Sequence, residues 1–199
     1  KINNLSSLIV KKNNGKIKQG IITIGSHVDL ADKQLAVLLS NQSCIGLEIP
    51  VHEIIEIFEN SRTDPYTTPL ENKLLDKIIY ILNSNKTPVL YTTRGEVLFT
   101  SDLKRIQFGI FLAKIMARLV SRCLYRLSYI ICKGGITSNI LLSDGLSLSL
   151  VDLKGQILPG LSVVIPEEGS NYIPIVTFPG NLGDKNTLLD VWKKMESFA

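Results

Sequence analysis

The chain has 199 residues, of which 45% are hydrophobic and 20% are charged, and its formal net charge is +4. This composition excludes a disordered chain and favours one globular domain that is large enough to bury a core. The basic residues are too dispersed for a nucleic-acid-binding surface. The sequence begins with Lys1 rather than Met, which we interpret as a piece of a longer protein.

Residues 1–20 are polar and contain the turn signal Asn13-Asn14-Gly15. We interpret this stretch as a linker or lead-in ribbon, with a short strand at Leu8-Ile9-Val10. Residues 21–199 then form the domain itself.

From residue 21 onward, short apolar runs alternate with amphipathic helices. The predicted strands are Ile21–Ile24, Ile45–Ile49, Val89–Tyr91 and Tyr129–Cys132, and a long helix is predicted over Asp102–Arg126. This rhythm is typical of βαβ units, whose strands are buried on both faces. The predicted fold class is therefore α/β, a Rossmann-like, mostly parallel sheet with helices on both faces.

Four basic residues recur at every fourth position of the long predicted helix: Lys114, Arg118, Arg122 and Arg126. This spacing lines them up on one face, which we interpret as a solvated stripe. Because these charges interrupt the most apolar part of the chain, we predict no membrane span.

The pattern changes in the C-terminal third. Strand-like runs at Leu148–Val151, Leu161–Ile165 and Ile173–Thr177 are separated by turn residues, including Gly155 and Pro159-Gly160. We predict a β-ribbon added to the α/β core, followed by a final helix that buries Leu188, Val191, Trp192 and Met195.

The three cysteines, Cys44, Cys123 and Cys132, form no C-x-x-C pair. Two lie in apolar segments and are interpreted as small buried hydrophobic residues. A sparse, odd number of cysteines favours a reducing compartment, and we predict the cytoplasm. No zinc site is predicted from His27 and His52, which are far apart in the sequence.

Three loops follow predicted parallel strands, at the sheet edge where ligands of open α/β sheets bind. Gly134-Gly135 lets the backbone approach a ligand, and Thr137 or Ser138 is predicted to cap the next helix, whose free N-H groups favour phosphate. The alternative is a strand-to-helix turn that binds nothing.

The other two loops contain Gly25-Ser26-His27 and the run Phe178–Asp184. The Ser26 hydroxyl both donates and accepts hydrogen bonds, so it suits a phosphate or ribose oxygen, with a plain turn as the alternative. Gly180 and Gly183 predict a tight curve, while Asp184 is either functional or a helix cap. P-loop, dinucleotide-binding and G-x-S-x-G motifs are absent from the sequence.

Taken in order, these segments resemble the C-terminal domain of the four-carbon acid-sugar kinases, the D-threonate, D-erythronate and 3-oxo-tetronate kinases. The resemblance runs from about Ile21 to the C-terminus. It depends on these segments: Ile24-Gly25-Ser26, Gln34-Leu35, Tyr91-Thr92-Thr93-Arg94, Gly134–Ser138, Leu158-Pro159-Gly160 and Pro179–Asp184.

The resemblance implies an ATP-binding domain of a two-domain cytoplasmic kinase in carbohydrate metabolism, with Mg²⁺ on the phosphates. The sugar acid and the catalytic base would belong to a separate N-terminal domain, so that this chain alone would be inactive. The implied ATP or ADP contacts are Ser26, Gly134, Gly135, Ile136, Thr137 and Gly180. No nucleic-acid or membrane partner is implied, and family analogy favours a homodimer.

Two positions depart from the family pattern. Ile136 replaces an acidic residue of G-G-D-T-S or G-G-E-T-S, and Phe178 stands where a lysine often precedes Ser-Gly-Asn. Loss of an acid and a cation weakens phosphoryl transfer, so a catalytically decayed nucleotide-binding or regulatory module is the alternative. A third hypothesis is a protein-interaction domain that uses the basic helix. Metal ligands remain unassigned, with Asp144, Glu168 and Asp184 as candidates by charge alone.

Overall fold

The computed structural model describes residues 19–60, 69–95, 99–167 and 173–198. Within these ranges the chain forms one seven-stranded sheet. Its strands are β1 (Ile21–Ile24), β2 (Cys44–Ile49), β3 (Thr87–Thr92), β4 (Ile130–Lys133), β5 (Val151–Leu158), β6 (Leu161–Pro166) and β7 (Ile175–Phe178). The spatial order is β2-β3-β1-β4-β7-β6-β5. Strands β2, β3, β1, β4 and β7 are parallel, and β6 and β5 continue the sheet antiparallel. The predicted α/β class with an added ribbon is confirmed.

Helices cover both faces of the sheet. They are α1 (Asp29–Leu39), α2 (Val51–Asn60), α3 (Pro69–Asn83), α4 (Asp102–Cys123), α5 (Gly135–Ile140) and α6 (Thr187–Phe198). Apolar side chains of α1 and α6 form one core cluster, and those of α2, α3 and α4 form another. None of the helices in the described ranges is long and apolar enough to cross a membrane.

The continuous apolar runs of the sequence become the central strands. Every residue of β1 and β4 is buried, as expected for strands covered on both faces. The boundaries of β1 match the prediction, and those of the other strands apart from β5 shift by at most two residues. The long helix ends at Cys123, and a 3₁₀ turn continues it to Arg126. The predicted N-terminal strand Leu8-Ile9-Val10 lies outside the described residues.

The β-ribbon differs most from its prediction. Strand β5 begins at Val151 instead of Leu148, and the predicted turn residue Gly155 lies inside it with φ +124°. The pairing of β5 with β6 shifts register next to Gly155, which marks a β-bulge. Only Pro159-Gly160 forms the turn between the strands. Pairing with β6 decides where β5 lies, because this edge strand is largely exposed and has little apolar pattern of its own.

The basic helical stripe is a solvated face only in part, and the prediction was wrong at Arg118. Arg118 is 24% exposed and donates two hydrogen bonds to the buried Glu71 carboxylate of α3, Nη2–Oε1 at 2.7 Å and Nε–Oε2 at 3.3 Å. Arg126 donates to Asn83 and Lys114 pairs with Asp144. These side chains join α4 to its neighbours, because helix packing brings polar acceptors within their reach.

All three cysteines are buried free thiols, which confirms the interpretation of two of them and extends it to the third. Burial raises the pKa of Cys44 and that of Cys123 to about 12. At neutral pH both thiols are therefore protonated and chemically inert.

A buried polar network attaches α6 to the amino ends of the strands. Glu196 accepts hydrogen bonds from the hydroxyls of Tyr129 and Thr87, and Trp192 Nε1 donates to Thr87 Oγ1 at 3.1 Å. Burial raises the pKa of Glu196, because desolvation disfavours its charged form.

Replacing Glu196 by glutamine is expected to stabilise the protein at high pH only. The folded carboxyl keeps its proton to a higher pH than the unfolded one, so wild-type stability falls as pH rises from the unfolded pKa through the folded value. Glutamine still accepts from Tyr129 but carries no charge. Thermal unfolding should therefore give similar Tm values near the ordinary glutamate pKa and a higher Tm for the variant at pH 8. Glu53→Gln, on the exposed side of α2, is the control; a variant that is less stable at every pH would contradict this account.

Candidate functional site

The three predicted loops meet at one edge of the sheet. Strand β4 lies between β1 and β7, so their carboxyl ends are adjacent. Gly25 N-H donates to Lys133 O at 3.0 Å, and Gly134 N-H donates to Phe178 O at 2.9 Å. Along the chain, β1 is followed by β2, which lies on one side of β1 in the strand order. Strand β3 is followed by β4, which lies on the opposite side of β1. The loops after β1 and β4 thus lie at the topological switch point, where open α/β sheets bind ligands.

Four of the six predicted nucleotide contacts pack against one another. A Cβ on Gly180 would lie 2.4 Å from Ser26 Oγ, and a Cβ on Gly25 would lie 2.0 Å from Thr137 Oγ1. Gly134 has φ +123°, and a side chain there would lie 3.3 Å from Ser26 N. The loops therefore touch only because glycine occupies these positions.

The other two predicted contacts, Gly135 and Ile136, face open space. No heavy atom lies within 4 Å of a Cβ built on Gly135, and the Ile136 side chain is 52% exposed. Helix α5 begins at Gly135, so the prediction that Thr137 or Ser138 caps it was wrong. Gly134, whose φ is positive, directly precedes the first helical residue, so the helix begins before the predicted capping residues. Ser138 Oγ instead donates to Cys132 O at 3.1 Å.

Lys133, for which the sequence predicts no role, is fully buried beneath the Phe178–Asp184 loop. Its Nζ donates to Gly180 O at 3.0 Å and to Pro179 O at 3.2 Å, and lies 3.9 Å from the Phe178 ring centroid. Burial lowers the pKa of Lys133 to about 8, with a smaller contribution from Arg94. Lys133 pairs in register with Phe178, so a cation stands beside the position where the resemblance led us to expect one.

A second cation, Arg94, lies behind Ser26. Its Nη1 donates to Ser26 O at 2.6 Å and lies 3.1 Å from Asp32 Oδ1. Its Nε and Nη2 are buried and form no hydrogen bond with the described residues. His27 Nε2 is 2.8 Å from Thr92 Oγ1, and desolvation followed by the charge of Arg94 lowers the pKa of His27. The sequence alone does not show that Arg94 contacts Ser26, because the two residues are 68 positions apart.

The loop after β7 is held in place by Gln34 of α1. This fully buried side chain donates from Nε2 to Asp184 O at 2.6 Å and to Leu182 O at 3.1 Å. Asp184 Oδ1 accepts from Asn186 N at 2.8 Å and from Thr187 N at 3.1 Å, and these bonds lower the pKa of Asp184. Asp184 is thus the cap of α6, the plainer of its two interpretations.

Within the described ranges, no three His, Cys, Asp or Glu side chains cluster closely enough to hold a metal ion. Asp144 accepts from Ser143 and pairs with Lys114, away from the glycine loops. Glu168 lies outside the described residues. The site therefore offers backbone groups, the Ser26 and Thr137 hydroxyls and two cations, the buried Lys133 and the partly buried Arg94. Such a surface suits an anionic ligand.

Comparison with known proteins adds a family and a fold. The model of the family described as nucleotide-binding C-terminal domain matches residues 21–188. A Bordetella bronchiseptica structure, described as a domain of unknown function (DUF1537) with bound citrate and as a domain-swapped dimer, aligns with a TM-score of 0.69 at 14% identity. A Haemophilus influenzae protein, described only by the DUF1537 family model, aligns with a TM-score of 0.66 at 20% identity.

These alignments cover 89% and 90% of this chain but only 41% and 40% of the two structures. The chain thus spans about two fifths of the length of these proteins. At such low identity the likeness shows the fold alone. Among curated proteins, none matches the sequence.

Proposed function

We propose, from the premise that this chain belongs to the family of nucleotide-binding C-terminal domains, that it holds ATP for a kinase of four-carbon sugar acids. The nucleotide contacts would be Ser26, Gly134, Gly135, Ile136, Thr137 and Gly180. The observation that carries the proposal is the meeting of three glycine loops at a switch point, with Gly135 facing open space.

The chain's own part in the reaction is to bind and orient the nucleotide. Phosphoryl transfer depends mainly on positioning and on electrostatic stabilisation of the transferring group. Glycine backbones let the chain approach the phosphates closely, and Lys133 and Arg94 add positive charge behind them. We assign no catalytic base to the described residues.

Mg²⁺ would be held chiefly by the nucleotide. In phosphate-binding sites this ion typically keeps several waters and takes only one or two carboxylates from the protein. The lack of a three-residue metal cluster among the described residues fits that arrangement better than a dedicated cage. The ion would neutralise phosphate charge when bound.

The sugar acid would occupy a separate domain of a longer protein, because the two solved relatives are more than twice as long as this chain. The citrate in the Bordetella bronchiseptica structure is a small organic acid, which is compatible with such a substrate. The dimer described for that protein supports a homodimer here. The three free thiols are in keeping with the cytoplasm.

A nucleotide-binding module without catalysis is the second candidate. Ile136 favours it, because an exposed isoleucine cannot bind a ribose hydroxyl or a metal-bound water. Ile136→Asp in the longer protein separates the candidates: a gain in phosphoryl transfer indicates a decayed kinase. The interaction-domain hypothesis loses support, because most of the basic stripe bonds to residues of this chain.

Calorimetric titration of the chain with ADP, ATP and adenosine, with and without Mg²⁺, tests the binding step. We expect saturable binding of ADP and ATP, tighter than that of adenosine because the phosphates meet the glycine loops. Absence of nucleotide binding at millimolar concentration would contradict the proposal for this chain. The kinase step is tested on the longer protein, by ATP consumption in the presence of four-carbon sugar acids.

A further inference from the structure

Lys133 is a buried cation without a nearby carboxylate. Its side chain is fully buried, and no acidic group of the described residues lies within 4 Å of Nζ. Burying a charge is costly unless hydrogen bonds or an opposite charge compensate for it. Here the compensation consists of the carbonyls of Pro179 and Gly180 and the face of the Phe178 ring.

These two hydrogen bonds fix the orientation of two peptide units. The peptide bonds in the described ranges are all trans, so the N-H of each unit points opposite to its carbonyl. With both carbonyls directed at Lys133, the N-H groups of Gly180 and Asn181 point away from it. Neither N-H group forms a hydrogen bond with another described residue. Two adjacent free N-H groups are the arrangement that binds anions in backbone nests.

Two further features point to an anion at the same place. Gly180 lies against the Ser26 hydroxyl, which adds a possible donor beside the two N-H groups. Behind Ser26, the Nε and Nη2 of Arg94 are buried and form no hydrogen bond with the described residues. Donors and positive charge therefore surround this loop. Of the two acids beside it, Asp32 pairs with Arg94, and Asp184 accepts hydrogen bonds from Asn186 N and Thr187 N.

We infer that Lys133 is a positioning residue for phosphate: it holds the carbonyls of Pro179 and Gly180 inward, so that the N-H groups of Gly180 and Asn181 bind a phosphate group of the ligand. This inference rests on the proposed function and adds a specific subsite to it. Lys133 acts through the loop, since its own ammonium donates to the carbonyls and is sealed from solvent.

The test is Lys133→Met, which keeps an unbranched side chain that is one atom shorter and removes the charge and both hydrogen bonds. Lys193→Met, on the exposed surface of α6, makes the same change in net charge and is the control. Binding of ADP, inorganic pyrophosphate and adenosine is measured for each protein. We expect Lys133→Met to lower the affinity for ADP and for pyrophosphate by about tenfold or more, because charge-assisted contacts are lost. The affinity for adenosine should stay within about twofold of the wild-type value. Free phosphate ligands and nucleotides are distinguished by comparing pyrophosphate with ADP.

A parallel loss of ADP and adenosine affinity would overturn the inference, because it would mean that Lys133 only maintains the shape of the site. Unchanged ADP affinity would overturn it too. Failure of the wild-type protein to bind ADP would instead count against the proposed function.

The pH profile of the wild-type protein gives a second test that needs no variant. The preference for ADP over adenosine should be greatest near pH 7, where the terminal phosphate of ADP is ionised, and fall as Lys133 loses its proton at about pH 8. Arg94 stays charged in this range, the pKa of His27 and that of Asp184 are lowered, and the pKa of Tyr91 is raised above 10, so these neighbours titrate elsewhere. A preference for ADP that is flat from pH 7 to about pH 9 would contradict the role of Lys133.

Discussion

Gly135→Trp is expected to weaken ADP binding by about a hundredfold or more, equivalent to ~2.7 kcal/mol, while the protein stays folded. No heavy atom lies within 4 Å of a Cβ at this position, so an indole would enter the open space in front of the glycine loops. The backbone of Gly135 has no positive φ, so a residue with a side chain fits it without strain. Titration calorimetry measures the affinity, and circular dichroism and thermal unfolding check the fold.

Gly109→Trp is the matched control for this experiment. Gly109 is also a helical glycine with nothing within 4 Å of its Cβ position, but it lies on α4. It should accept tryptophan and bind ADP as the wild type does. If Gly135→Trp bound ADP normally, the nucleotide would have to lie elsewhere on the chain. The proposed contacts of the Gly134–Thr137 segment would then be wrong.

Arg118→Ala is expected to lower the free energy of unfolding by about 3 kcal/mol, the typical result when one partner of a buried ion pair is removed. The substitution takes two hydrogen bonds from Glu71, whose side chain is only 1% exposed. Urea unfolding measures the loss. Arg122→Ala, which removes a hydrogen bond to Asn72 at the exposed surface, should cost less than about 1 kcal/mol.

A paired substitution separates the charge effect from packing. Glu71→Met combined with Arg118→Met removes both charges and keeps apolar volume, so we expect it to recover most of the lost stability. A double variant as unstable as Arg118→Ala would show that shape, and not an uncompensated charge, limits this site. An Arg118→Ala variant as stable as the wild type would contradict the account of the α3–α4 contact.

The sequence was most informative where burial is strongest. Contiguous apolar runs predicted β1 and β4 to within one residue, because strands covered on both faces are apolar along their whole length. It was least informative at β5, where exposed residues alternate weakly and pairing with β6 sets the register. Gly155 was mistaken for a turn, since a glycine in a β-bulge and a glycine in a turn look alike in sequence.

For the candidate site, the sequence predicted which loops would be neighbours but not which side-chain contacts hold these loops together. Parallel strands place their carboxyl ends at one edge, so Gly25, Gly134 and Gly180 were foreseeable as a group. The burial of Lys133 was not, because lysine is almost always exposed and its partners are main-chain carbonyls that carry no sequence signal. For the same reason the contact of Arg94 with Ser26 O could not be foreseen.

The bonds from Gln34 to the loop after β7 join residues as far apart as 150 positions in the chain. Contacts of such long range form only once the entropy of closing the intervening chain has been lost. The ligand surface therefore comes into existence only when both ends of the domain have reached their final places. Ligand binding there would indicate that the domain has folded completely. A truncated chain would lose ligand binding before it lost its secondary structure.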